Sequence, residues 1–337
     1  MFVNMNTINA SPMSEMENEV LISVVIPAYN RLDELRRALR SVLSQTFQRF
    51  EVIVVDDGSE MDIKSLCESF GDERILYIRN AVHTNANVAR NRGIYAARGE
   101  YIAMLDSDDE FCPEHLTRRL SKIREWNCDG IFGSAYFDYG TRIELVLSRP
   151  LRIGETMLNY LLSDGFAPTP SHFYKRDAAL SVLWDESLER HQDFDFSVRF
   201  ADRFLFLSDY EPTIVVDRRV QAKRNYQYES CIRFIDKYGE YLPGRIYNQY
   251  HFSMFLHVQN NAIIDKKIEE HYARNSYKYI YAVSFSRFLF VHKVKRIFYG
   301  FVFLKFMYLH ILFFARAILF GDLPPEMKDN PAWDSAS

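Results

Sequence analysis

Four consecutive residues, Asp106-Ser107-Asp108-Asp109, directly follow an apolar run, Tyr101-Ile102-Ala103-Met104-Leu105. Carboxylates this close repel one another unless a cation sits among them, and Mg²⁺ or Mn²⁺ prefers such oxygen ligands. A polar loop capping a helix that starts near Pro113 would use the same residues, because Asp is a favoured cap. Two further polar clusters also follow apolar runs: Ala28-Tyr29-Asn30-Arg31 and Asp56-Asp57-Gly58-Ser59. Asp-Gly by itself makes a turn. A separate acidic segment, Gln192-Asp193-Phe194-Asp195, stands well downstream, where Asp193 would equally serve as a helix cap.

The segments before these clusters decide between the readings. Leu21 to Pro27 is a buried strand ended by proline, and Leu32, Leu35, Leu39, Val42 and Leu43 then recur at helical spacing. Phe50 to Val55 is a second strand, Ile63 to Phe70 a short helix closed by Gly71, and Ile75 to Ile78 a third strand. A helix over Ala86 to Ala97 ends near Gly99, Tyr101 to Leu105 is the fourth strand, Pro113 to Trp126 is helical, and Gly130 to Phe137 reads as one strand. Such alternation predicts an α/β fold with a mostly parallel, Rossmann-like sheet flanked by helices. Ligands then bind beyond the carboxyl ends of the strands, so the three polar clusters converge on one edge.

Composition excludes several classes. The chain has 337 residues, 48% hydrophobic and 26% charged, with a net charge of -4. It is a folded protein, and nothing in its charge calls for nucleic acid. Cys67, Cys112, Cys128 and Cys231 lie far apart without CxxC spacing, which argues against a zinc site or disulfide framework and for reduced thiols in the cytoplasm. Residues 1–19 are polar and acidic and read as a flexible start without a signal peptide. No GxGxxG follows the first strand, which excludes a dinucleotide-dependent oxidoreductase.

With the clusters placed, the chain resembles glycosyltransferase family 2, the inverting nucleotide-diphospho-sugar transferases of the GT-A fold. The resemblance is carried by Ser23-Val24-Val25-Ile26-Pro27-Ala28-Tyr29-Asn30, Val54-Val55-Asp56-Asp57-Gly58-Ser59, Ala89-Arg90-Asn91-Arg92-Gly93 and Leu105-Asp106-Ser107-Asp108-Asp109. It continues through Phe173-Tyr174-Lys175-Arg176, Trp184-Asp185-Glu186-Ser187-Leu188 and Gln192-Asp193-Phe194-Asp195. It covers the region 20–220, taken as the catalytic domain, with 221–337 a C-terminal helical, aromatic-rich region. The resemblance implies that Pro27, Ala28 and Tyr29 wall the base of a nucleotide sugar and that Asp57, beside Asp56, accepts a base N–H. Arg31, Arg90, Asn91 and Ser107 complete the nucleotide-sugar set. Asp106 and Asp108 form the metal-binding pair for Mn²⁺ or Mg²⁺, and Asp193 is the general base.

The donor implied is a nucleotide-diphospho-sugar, a UDP-sugar first among them. The acceptor is a hydroxyl on a glycan or lipid-linked molecule, as in polysaccharide or lipopolysaccharide biosynthesis. A sugar-nucleotide-processing nucleotidyltransferase of the same fold and an inactive glycan-binding protein are the alternatives. The sequence departs from the family in having Gln192 where Glu usually precedes the base, and Gln221 where a histidine often follows Arg-x. His83 has no partner that sequence can name, and His191, near Asp193, is a candidate substrate contact but reads first as an exposed surface histidine. Residues 276–320 mix aromatics with Lys293, Lys295, Arg296, Lys305 and Arg316. That mixture suits peripheral contact at the cytoplasmic face of the inner membrane, a buried helical hairpin or, least well, a span.

Overall fold

A computed structural model describes residues 20–219, 227–260 and 266–282 of the chain. The flexible start expected over residues 1–19, Gln221, and the aromatic-basic stretch from residue 283 onward lie outside the described residues. Two compact units divide the chain, residues 1–276 and residues 277–337, and the elements discussed below belong to the first.

The centre is a 7-stranded sheet in the order β10-β6-β9-β4-β1-β2-β3. Its strands are β1 Ile22–Ala28, β2 Phe50–Asp56, β3 Ile75–Arg79, β4 Tyr101–Met104, β6 Gly130–Gly133, β9 Phe173–Lys175 and β10 Phe206–Asp209. β1 pairs in parallel with β2 and β4, with Val24 opposite both Val52 and Ala103. All seven residues of β1 and of β2 are buried. A strand covered on both faces has no polar side to show, which explains the near-continuous apolar runs. β9 runs antiparallel between β4 and β6, the exception in an otherwise parallel sheet.

Helices cover both faces. Helix Leu32–Leu43 buries Leu35, Ala38, Leu39 and Val42, one stripe at helical period. Helix Ala86–Ala96 approaches β1 so closely that a Cβ on Gly93 would stand 2.3 Å from Val25 Cγ1. Helices Tyr228–Tyr238 and Gly244–Asn260 bury Phe234, Ile235, Tyr250 and Met254 in the same apolar cluster as Trp184, Phe196 and Phe200. Among the described residues no helix is long and apolar enough to cross a membrane.

The segment Gly130 to Phe137, read from sequence as one strand, is two. Gly130–Gly133 enters the large sheet as β6, while Ala135–Asp138 becomes β7 of a second, 4-stranded sheet ordered β5-β11-β7-β8. The other members are β5 Glu110–Phe111, β8 Ile143–Val146 and β11 Ile214–Asp217. Ser134 is the break: its hydroxyl accepts the Ser148 N–H at 2.9 Å, and its own N–H goes to the Asp209 carbonyl at 3.2 Å. Glycine at 133 is required because a Cβ there would lie 2.6 Å from Arg119 Nη2 and 2.7 Å from the Asp209 carbonyl oxygen. The fully buried Arg119 ion-pairs with Asp209 at 2.8 Å and closes this corner.

Candidate active site

The carboxyl ends of β1, β2 and β4 lie side by side, and their loops border one cavity of about 620 Å³. Pro27, Ala28, Tyr29, Arg31, Asp57, Arg90, Asp106, Ser107, Asp108 and Asp193 all line it. Two other residues named from sequence, Asp56 and Asn91, stand behind the wall. Asp56 is fully buried and accepts from Tyr77 Oη (2.7 Å), Arg79 Nη1 (2.7 Å) and the Ser59 N–H (2.8 Å). It thereby shapes the turn that presents Asp57. Asn91 clasps the backbone of Trp184, accepting its N–H at 2.7 Å and donating to its carbonyl at 2.9 Å, and also donates to Glu186 Oε1.

The base-facing end is built from β1, β2 and the loop after β3. Asn30 adopts a left-handed φ of 51° and bonds across to the next loop, its N–H to Ser59 Oγ (3.0 Å) and its Oδ1 from the Glu60 N–H (2.8 Å). This leaves Tyr29 half-exposed over the cavity. Asp57 Oδ1 accepts from Asn80 Nδ2 and Thr84 Oγ1, each at 2.6 Å, and Oδ2 from the Thr84 N–H at 3.0 Å. His83 Nδ1 lies 2.9 Å from the same Oδ2. Its ring stacks on Tyr29 with centroids 3.7 Å apart and planes 15° apart. His83 thus has two partners that sequence could not name. Its position after the parallel strand β3 was the available signal, because ligands gather at such ends.

The acidic loop bridges the two sheets. Upstream, the Leu105 N–H donates to the Val25 carbonyl at 3.1 Å. Downstream, Asp109 Oδ1 accepts the Asp217 N–H at 2.9 Å, and β5 pairs with β11. Burial, then the charges of Asp106 and Asp108, hold the Asp109 carboxyl well above its usual range. Asp108 is ion-paired with Arg31, and Asp106 Oδ1 takes Arg90 Nη2 at 2.8 Å. Among the described residues no three His, Cys, Asp or Glu side chains are grouped to hold a metal by themselves. Mg²⁺ is commonly held by one or two carboxylates with substrate phosphates and waters. The pair Asp106 and Asp108, in a loop where carboxylates already repel, fits a cation shared with a bound diphosphate.

Arg90 links this loop to the downstream acidic segment. It is buried on helix Ala86–Ala96, and its Nη1 donates to Asn87 Oδ1 (3.0 Å) and Gln192 Oε1 (2.9 Å). Its guanidinium carbon sits 4.6 Å from the Trp184 ring centroid. Gln192, where the family usually has Glu, therefore acts as a neutral acceptor for Arg90.

Asp193 opens helix Gln192–Ala201. Its Oδ1 accepts its neighbour's N–H, that of Phe194, at 3.1 Å. Burial raises its pKa above the ordinary carboxylate value, while Arg90 and the Phe194 N–H pull it back. Two residues on, the fully buried Asp195 ties the helix down through Arg199 (2.7 Å), Lys237 (2.7 Å) and Tyr238 Oη (2.7 Å). The helix N-cap, His191, has a left-handed φ of 57°. It is not the surface histidine that sequence suggested: it lines the cavity, bonds Tyr250 Oη through Nε2 at 2.9 Å, and burial pushes its pKa down to about 3. Pro168, Thr169, Pro170, Glu189, Arg190, Phe194 and Arg218 also line the cavity and were not singled out from sequence as site residues.

The fold is of the GT-A type, a mixed α/β unit around a 7-stranded sheet, and comparison with known proteins agrees. The profile of Glycosyl transferase family 2 matches residues 23–182. A putative colanic acid biosynthesis glycosyl transferase, WcaA of Escherichia coli K12, is 39% identical over 200 residues, covering 55% of this chain and 68% of WcaA. The amylovoran biosynthesis glycosyltransferase AmsB of Erwinia amylovora is 33% identical over 200 residues, 56% of this chain and 66% of AmsB. The chain therefore spans about two thirds of these two relatives, and only 18% of an uncharacterized Rickettsia conorii glycosyltransferase that it matches at 43% identity. The S. aureus TarS 1-349 structure in complex with UDP-GlcNAc superposes with a TM-score of 0.53 at 20% identity, covering 82% of this chain and 76% of that one. The chain belongs to glycosyl transferase family 2 and, with it, to the glycosyltransferase enzymes.

Proposed function

We propose that this chain moves a sugar from a nucleotide-diphospho-sugar, a UDP-sugar first among candidates, to a hydroxyl of a glycan or lipid-linked acceptor, with inversion. The observation carrying this reading is that Asp106, Asp108 and Asp193 line one cavity, with Arg90 bonded both to Asp106 and to Gln192, the residue before Asp193. The names of AmsB and WcaA, tied to amylovoran and colanic acid, support an acceptor in polysaccharide synthesis. The structure of TarS with UDP-GlcNAc supports the donor class.

In this mechanism Pro27, Ala28 and Tyr29 seat the base against the β1 end, with Asp57 beneath it. Asp106 and Asp108 would hold Mn²⁺ or Mg²⁺, which when bound would supply a Lewis acid to offset the charge of the diphosphate. Arg31 and Arg90, cations already at these carboxylates, orient the pair and the phosphates. Asp193 removes the proton from the acceptor hydroxyl, and its raised pKa makes it a stronger base than a free carboxylate. Attack from that side on the anomeric carbon inverts it.

The test is thermal protection across a panel of nucleotide sugars with and without Mn²⁺, since a bound donor stabilises the native state. A donor should raise the melting temperature in a Mn²⁺-dependent way, and Asp108→Ala should abolish both that dependence and transfer. Full transfer by Asp108→Ala, or in excess chelator, or a product that keeps the donor's anomeric configuration, refutes the mechanism.

A further inference from the structure

We propose that His83 is a built-in stand-in for the nucleobase, occupying the base subsite until donor displaces it. This rests on the nucleotide-sugar reading of the cavity. A carboxylate offers about four lone-pair positions. At Asp57, Asn80 and the Thr84 hydroxyl and N–H take three, and His83 Nδ1, bonded to the Asp57 carbonyl oxygen at 3.3 Å, crowds the fourth from 2.9 Å off Oδ2. A base N–H gains this carboxylate only when one of the four withdraws.

His83 is the group free to do so. The Asp57 side chain is 4% exposed, whereas that of His83 is 48% exposed. Its imidazole also covers the Tyr29 ring at 3.7 Å. A base held between the two rings would need them about 7 Å apart, twice an ordinary carbon contact. The imidazole therefore takes the two places, against the Tyr29 face and beside the Asp57 carboxylate, that the base itself would take.

The backbone beneath is fixed. Gly58 has φ +76°, and a Cβ there would meet the His83 nitrogen at 2.6 Å and the Val82 carbonyl carbon at 2.7 Å. The chain at 82–83 lies directly on this turn, so opening the subsite is a rotation of one side chain. Donor binding then carries the cost of breaking the His83 contacts, and the base subsite is never an open apolar slot in the free protein.

The experiment is calorimetric titration of the full chain with UDP and, separately, with inorganic pyrophosphate, each with Mn²⁺. His83→Ala should bind UDP about tenfold more tightly, the effect of removing one stacked, hydrogen-bonded competitor. Pyrophosphate affinity should stay unchanged. His83→Phe keeps a ring on Tyr29 and should bind UDP more weakly than His83→Ala. Weaker or unchanged UDP binding by His83→Ala overturns the proposal, because the imidazole would then be a platform or a bystander. Equal tightening of pyrophosphate overturns it too, since the effect would not concern the base. If wild type and variant alike bind none of UDP, GDP, ADP and dTDP while pyrophosphate binds, the nucleotide reading itself fails and the stand-in with it.

Discussion

Replacing Asp193 by Asn separates catalysis from stability in opposite directions. Asn keeps the shape and can still accept the Phe194 N–H that Asp193 Oδ1 accepts at 3.1 Å. It cannot take a proton. General-base contributions run to about 10²–10⁴-fold, so turnover should fall by that factor, about 3–5 kcal/mol of barrier. Stability should move the other way. Burial raises the Asp193 pKa above the ordinary carboxylate value, so in the window between the two values the folded state holds more protons than the unfolded state. Folding stability from this group therefore declines as pH rises through that window, and at neutral pH the partly buried charge is a net burden. Asp193→Asn should melt at or above the wild-type temperature at pH 7, with the difference shrinking on acidification. The wild-type pH–rate profile should rise through an acid limb placed above an ordinary aspartate. Single-turnover transfer beside differential scanning calorimetry over roughly pH 3–8 measures both, a range that starts below the ordinary aspartate value and ends well above it. Wild-type turnover in Asp193→Asn, or a large loss of stability at pH 7, refutes the assignment.

Two further substitutions probe the supports. Arg90→Lys keeps the charge but loses the fork that reaches Asp106, Asn87 and Gln192 and the face over Trp184. It should cost about 2–4 kcal/mol in urea unfolding, and a variant as stable as wild type would show that Arg90 does not join the two acidic segments. Asn91→Ala strands the Trp184 N–H and carbonyl and should cost about 1–3 kcal/mol, with UDP affinity kept within about twofold. A tenfold loss of UDP affinity would place Asn91 at the nucleotide.

The sequence is most legible where local pattern and tertiary role agree. β1, β2 and β4 are apolar on both faces because helices cover both, so their runs are plain and the clusters after them fall on one sheet edge. Legibility fails where long-range pairing decides. Nothing local announces that Gly130 to Phe137 breaks at Ser134, because the break is imposed by Arg119, Asp209 and Ser148. β8, Ile143–Val146, has an exposed face and pairs only with β7, so no core pattern marks it. Within the acidic segment Gln192 to Asp195, two similar aspartates have different fates. Asp193 lines the cavity while Asp195 is buried under Lys237 and Tyr238, partners more than forty residues away.

The seam spanned by the acidic loop also limits how such a chain can diversify. Leu105 is fastened to β1 and Glu110 to β11, so residues 106–109 are a strap between two separately hydrogen-bonded sheets. One residue inserted there would have to bulge into the cavity or pull β5 out of register, and one removed would not reach. Grafting a new specificity onto this scaffold should therefore leave the strap's residue count untouched.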